Sequence, residues 1–213
     1  FFYLFVGRAL LERSAIESET KEETALLNAA EDGLLTAQRL NPLNTDHTAN
    51  LARLNSRWAA TASGGSGINS QLKSAEQYYQ DALQLSPQNS IIRNEYARFS
   101  FDMNRDCDQA IALYDESIAI DPYFAETYFA LTDALISCAS AQTDESVERE
   151  LHELAAQSIT EGLTYQPENS RAWLQAGQIL QRIERYGEAL SAFDEARVTG
   201  QGSTIPSWNI DFL

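Results

Sequence analysis

The chain is short of the groups that carry chemistry. Its two histidines, His47 and His152, have no second ligand at a metal-binding spacing, and neither His-Glu-x-x-His nor Cys-x-x-Cys occurs. They read as ordinary surface or capping residues, so no metal site, no catalytic site and no cofactor are expected. Two cysteines, Cys107 and Cys138, are too few for a disulfide framework. No apolar run reaches the ~20 residues of a membrane-spanning helix, because FFYLFV is followed at once by GRALLER. The Gly64-Gly65-Ser66-Gly67 run lacks the Gly-Lys-Ser/Thr ending of a phosphate loop and reads as a linker. Positive charge is scarce too: 15 Lys and Arg stand against 31 Asp and Glu, a net charge of −16. That excludes a nucleic-acid partner, which needs a basic footprint, and attachment to an anionic membrane through the chain's own charges.

What the chain has is helical periodicity, with 44% hydrophobic residues to bury. The densest signal runs from Ser170 to Gly202. Trp173, Ala176, Gly177 and Leu180 share one face of a first helix; Ala189, Phe193 and Ala196 share one face of a second. Arg185-Tyr186-Gly187 is placed as the turn. Gly177 and Ala189 let two backbones approach closely, which makes this a helical hairpin built to stack.

The hairpin recurs. Pro42, Pro87, Pro122 and Pro167, spaced by 45, 35 and 45 residues, each end one helix and open the next. Upstream of them the second-helix face repeats as Ala30, Leu34, Ala37; Ala75, Tyr79, Ala82; Ala110, Tyr114, Ser117; and Ala155, Ile159, Gly162. First-helix faces recur at Leu51-Ala52, Tyr96-Ala97 and Tyr128, Leu131, Thr132, and the opening FFYLFVGRALLE fits the same slot with Gly7 as its crossing residue.

This pattern resembles the tetratricopeptide repeat, whose period is about 34 residues. The resemblance implies an all-α solenoid of about five hairpins, approximately 1–42, 43–87, 88–122, 123–167 and 168–202, forming one open arch. An opening in mid-pattern predicts a fragment of a longer array. Two units carry roughly eleven residues beyond the usual period, and the opening hairpin has an extra segment in the same place. These are expected between the two helices: at Arg13 to Glu23 with a Thr20/Glu23 capping box, at the flexible Ala60 to Leu72, and at Ser137 to Glu148. Cys107 and Cys138 fall in consecutive hairpins near that edge, where a bond is conceivable, although buried free thiols are the commoner case. Residues 203–213, STIPSWNIDFL, are expected to fold back and cap the last helix.

One constellation suggests a binding surface. Arg8, Arg53 and Arg98 are spaced 45 apart, each directly after a small crossing residue, so stacking aligns them along the first-helix, concave side. Arg57, Arg182, Asn50, Asn94, Phe101, Tyr128 and Phe129 are placed on the same face, beside Tyr96. Such a row could receive a protein or peptide partner, an acidic segment or an anionic glycan among them. The plainer alternative is that Glu12, Glu95, Asp102 and Asp133 neutralise it and it only stiffens the stack. Lys21 and Lys73 fall near inter-helix segments, so the family's lysine and asparagine clamp for C-terminal carboxylates is not matched.

A narrower resemblance covers Arg39 to Ala59 and YLFVGRALLE, which look like the C-terminal repeat regions of bacterial O-antigen ligase and polymerase membrane proteins. It implies a non-catalytic appendage, tethered through a missing part of its parent to a bacterial membrane and leaning outside the cytoplasm. The expected function is therefore a non-catalytic interaction scaffold. Such an appendage, or an architectural subunit that self-associates, are the alternatives.

Overall fold

The computed structural model describes residues 1–17, 20–61 and 65–200. Among them are ten helices and no strand: α1 (Phe2–Ser14), α2 (Thr20–Leu40), α3 (Thr45–Thr61), α4 (Gly65–Leu85), α5 (Ser90–Asn104), α6 (Cys107–Ile120), α7 (Ala125–Ser140), α8 (Glu145–Tyr165), α9 (Ser170–Arg182) and α10 (Tyr186–Thr199). The chain divides into two compact units, Phe1–Arg105 and Asp106–Leu213. The expected third hairpin straddles that division, with α5 in the first unit and α6 in the second.

The four proline turns share one hydrogen-bond pattern. The N–H of the residue before proline bonds the carbonyl four residues upstream, as Ser86 to Ala82 and Gln166 to Gly162. The second residue beyond proline then bonds back to the residue before it, as Asn89 to Ser86 and Asn169 to Gln166. Asn44, Asn89 and Asn169 cap the helices that follow, their side-chain oxygens accepting from the N–H groups of Asp46, Ile92 and Ala172. In three turns the side chain six residues beyond proline donates back to the proline carbonyl: Arg93 to Pro87 at 2.6 Å, Tyr128 to Pro122 at 3.0 Å and Trp173 to Pro167 at 2.8 Å. The proline carbonyl in each of these turns thus gains a partner from the next helix.

Every position of the second-helix signature is buried, from Ala30, Leu34 and Ala37 through to Ala189, Phe193 and Ala196. In the first unit Leu4, Leu27, Leu34, Leu51 and Leu54 form one core, continued by the stacked rings of Tyr79 and Tyr96 with Phe99 against them. The crossings are as close as the small residues suggest. A Cβ on Gly7 would stand 2.7 Å from Leu34 Cγ, and one on Gly177 would stand 2.5 Å from the Phe193 ring. By contrast Phe1, before α1, and Phe2 and Phe5 within it lie largely in solvent.

Three expectations are corrected. Much of the extra length of the long hairpins is helix rather than loop: α2, α4 and α8 each run 21 residues, whereas α6 and α10 run 14. Once a helix is nucleated each further residue adds a hydrogen bond, so α4 begins within the glycine run, at Gly65, and carries through Ile68 and Leu72. Ala62 to Gly64 and the Thr20 side chain lie outside the described residues, as do residues 201–213 and the capping expected of them. The last turn lies at Ile183 to Arg185, with Glu184 at φ 64° and Tyr186 already in α10. Finally, Cys107 and Cys138 are bonded, joining the start of α6 to α7 across a Cα separation of 6.1 Å.

Candidate partner-binding surface

First helices meet through polar bridges that repeat in register. In the first unit Arg53 of α3 donates from Nε and Nη2 to both carboxylate oxygens of Glu95 on α5, at 2.7 and 2.8 Å. In the second, Gln175 of α9 donates to Asp133 of α7 at 2.6 Å. Both pairs are 42 residues apart. Residues 91–100 and 171–180 also alternate between buried, half-buried and exposed in the same order. Glu95 and Gln175 are therefore equivalent positions, and each reaches back to the preceding first helix. Burial alone would lower the Arg53 guanidinium, but the paired hydrogen bonds and charge of Glu95 outweigh it and raise it.

The other candidate arginines are also paired. Arg8 meets Glu12 at 3.4 Å and Arg98 meets Asp102 at 3.3 Å, both within one helix and well exposed. Arg57 donates to Glu23 at 2.5 Å and to the Ser14 carbonyl at 3.2 Å. Arg182 pairs with Glu148, and the Arg182 hydrogen bond holds that carboxyl below its ordinary value. These last two pairs are equivalent: each lies 34 residues apart and joins the C-terminal half of a first helix to the first turn of a long second helix. The added turns of α2 and α8 carry the acids to the arginines.

The remaining candidates divide between the two units. Asn50 is buried, its amide donating to the Asp46 carbonyl at 2.7 Å. Asn94 is half-buried and has a partner within the chain. Phe101 is half-buried with the Arg105 guanidinium 5.8 Å from its ring centre. Tyr128 is buried against Tyr165, with Asp115, Leu131 and Leu154 nearby. Phe129 lines a cleft of about 480 Å³ between α7 and α9, with Asp133, Arg171, Leu174, Gln175 and Gln178. The sequence pointed to Phe129 but missed Gln175 and Gln178 of α9, whose signal was their equivalence to Glu95 and Arg98.

His47 and His152 are buried rather than at the surface, with Nδ1 donating to the carbonyls of Asn41 at 3.1 Å and Glu148 at 2.8 Å. Among the described residues no group of three or more His, Cys, Asp or Glu could hold a metal ion, and no helix is long and apolar enough to cross a membrane.

The repeating bridges and turns are those of stacked helical hairpins, and the tetratricopeptide repeat profile matches residues 69–123 and 144–204, more than half of the chain. The chain belongs to the tetratricopeptide repeat family. This tetratricopeptide repeat protein matches no curated protein. Among solved structures it is similar to MamA (15% identity, TM-score 0.63, covering 85% of this chain and 92% of that one) and to MamA from Desulfovibrio magneticus RS-1 (12%, 0.60, 95% and 97%). It is also similar to pilF of Pseudomonas aeruginosa (17%, 0.60, 97% and 78%). At these identities the likeness is one of fold.

Proposed function

We propose that this tetratricopeptide repeat protein is a non-catalytic scaffold that seats a segment of a partner protein along its first helices. The observation that carries the reading is the cleft between α7 and α9. Its floor is built from the side chains that bridge the two helices, and Phe129 and Leu174 offer apolar surface beside the polar groups of Asp133, Gln175 and Gln178. A few oriented polar groups beside apolar contact area suit recognition of a peptide. In the first unit the equivalent face carries Arg98 and Arg8, whose exposed pairs with Asp102 and Glu12 can exchange for a partner's carboxylate at little cost.

The test is site-specific photocrosslinking in the native host, with a benzophenone side chain at Gln178 and, as control, at exposed Ala119. The reading expects one discrete adduct from position 178, absent from position 119 and lost when Leu174→Glu is added. No adduct, or equal adducts from both positions, would end it.

A further inference from the structure

The second helices of the second unit carry a groove of a different kind. Ile111, Asp115 and Ile118 recur along one face of α6 at helical spacing, Leu154 and Glu161 line α8 opposite, and Leu131 of α7 forms the floor of a cleft of about 340 Å³. Leu154 is 44% exposed, a large apolar side chain left on an open wall. Asp115 makes no hydrogen bond or ion pair with any described residue, and the surrounding apolar wall removes part of its water and raises its proton affinity. The next groove along, between α8 and α10, differs: there Arg185 already sits between Glu153 and Glu188.

We propose that the α6–α8 groove docks a short amphipathic helix of a partner protein, its apolar side chains packing on Ile111, Ile118 and Leu154 and a lysine or arginine reaching Asp115. Charge decides the class of occupant. An acid at the rim of an apolar groove on a chain of net charge −16 favours a cationic segment and disfavours a second copy of this chain or an anionic lipid surface. It also disfavours residues 203–213, which are apolar enough but contain Asp211 and no lysine or arginine. From Ile111 to Ile118 the wall is about 10 Å long, two helical turns, which matches anchors at i, i+3 or i+4, and i+7. This site lies on the second helices, apart from the first-helix cleft, so either can fail without the other.

The experiment selects from a phage-displayed library of random 14-residue peptides on the full chain and measures the selected peptides in solution. Expected is a consensus with one Lys or Arg among apolar residues at helical spacing. Binding should weaken about tenfold or more in Leu154→Ser and in Asp115→Lys, and return in Asp115→Lys when the peptide's cation is changed to Glu. Both positions are open to solvent, and circular dichroism of each variant confirms folding. The proposal is overturned by recovery of no peptide, by a consensus without a cation, or by peptides that ignore Leu154→Ser and respond instead to Gln178→Ala. A tenfold gain in affinity on deleting residues 203–213 would overturn it too, because the chain's own end would then be the occupant.

Discussion

Gly177 offers a sharp test of the packing. A Cβ there would lie 2.5 Å from Cδ1 and Cε1 of Phe193 and 2.9 Å from Cζ. Carbon atoms rest at about 3.5 Å or more, so the ring would have to retreat by about 1 Å. It has nowhere to go, because Phe193 is 1% exposed and Ala189 and Ala196 on the same face are fully buried. Overpacking a core costs about 1–3 kcal/mol, and an overlap of about 1 Å against a ring held on all sides belongs at about 2–3; replacing glycine in a helix returns about 1 kcal/mol, so Gly177→Ala should destabilise the second unit by about 1–2 kcal/mol. For a unit of this size that is a fall of about 5–10 °C in Tm. Gly187→Ala, in α10 with nothing within 4 Å of its Cβ, is the control and should leave stability unchanged or raise it by up to about 1 kcal/mol. Phe193→Leu should be costly alone yet partly rescue Gly177→Ala, giving a favourable coupling of about 1 kcal/mol in a double-mutant cycle. The assay is urea unfolding followed by far-ultraviolet circular dichroism. A Gly177→Ala protein as stable as the parent, or strict additivity with Phe193→Leu, would refute the reasoning.

Three further outcomes are expected. Removing the Cys107–Cys138 bond as Cys107→Ala/Cys138→Ala releases a loop of sequence separation 31, which chain entropy values at about 3.7 kcal/mol; thermal unfolding unchanged by the substitution or by reductant would contradict it. The Arg182 hydrogen bond lowers the Glu148 carboxyl from its ordinary 4.5, so this pair supports the fold above that value and its support is lost as pH falls through the depressed one. Carboxyl-carbon NMR should show Glu148 titrating low in the parent and at its ordinary value in Arg182→Ala; no difference would show that the pair does not form in solution. Burial, with the charge of Glu95, pushes Tyr79 up to about 12 from 10. Its neutral form therefore stabilises the fold fully below pH 10, and this is lost as pH rises toward 12; ultraviolet titration in which every tyrosine ionised near 10 would refute it.

The core faces of the second helices were legible because one small or apolar residue per turn, from Ala30 to Ala196, is the least the hairpin crossing requires. Helix ends were legible at proline, where the missing N–H forces a boundary. The glycine run was misread because local flexibility suggests a loop, whereas the continuing helix of α4 turns Gly65 and its neighbours into a first turn. Of the candidate surface, neutralisation of the arginine row by Glu12, Glu95 and Asp102 was legible as one of two readings, but not which acid meets which arginine, nor that Arg57 and Arg182 are held by acids on lengthened second helices. Those partners become visible only when helix lengths are known. The disulfide was equally out of reach, since spacing placed both cysteines at one edge without fixing the distance between them.

The account depends on consecutive first helices lying side by side, so that residues 42 apart become neighbours. Short bis-maleimide cross-linking of Arg53→Cys/Glu95→Cys, and separately of Asp133→Cys/Gln175→Cys, measures this directly by the mass of the linked tryptic peptides. Both pairs should link within one chain in high yield, while Arg8→Cys/Glu95→Cys, two first helices apart, should not. Failure of the first two pairs to link, or equal linking of the third, would contradict the stacking.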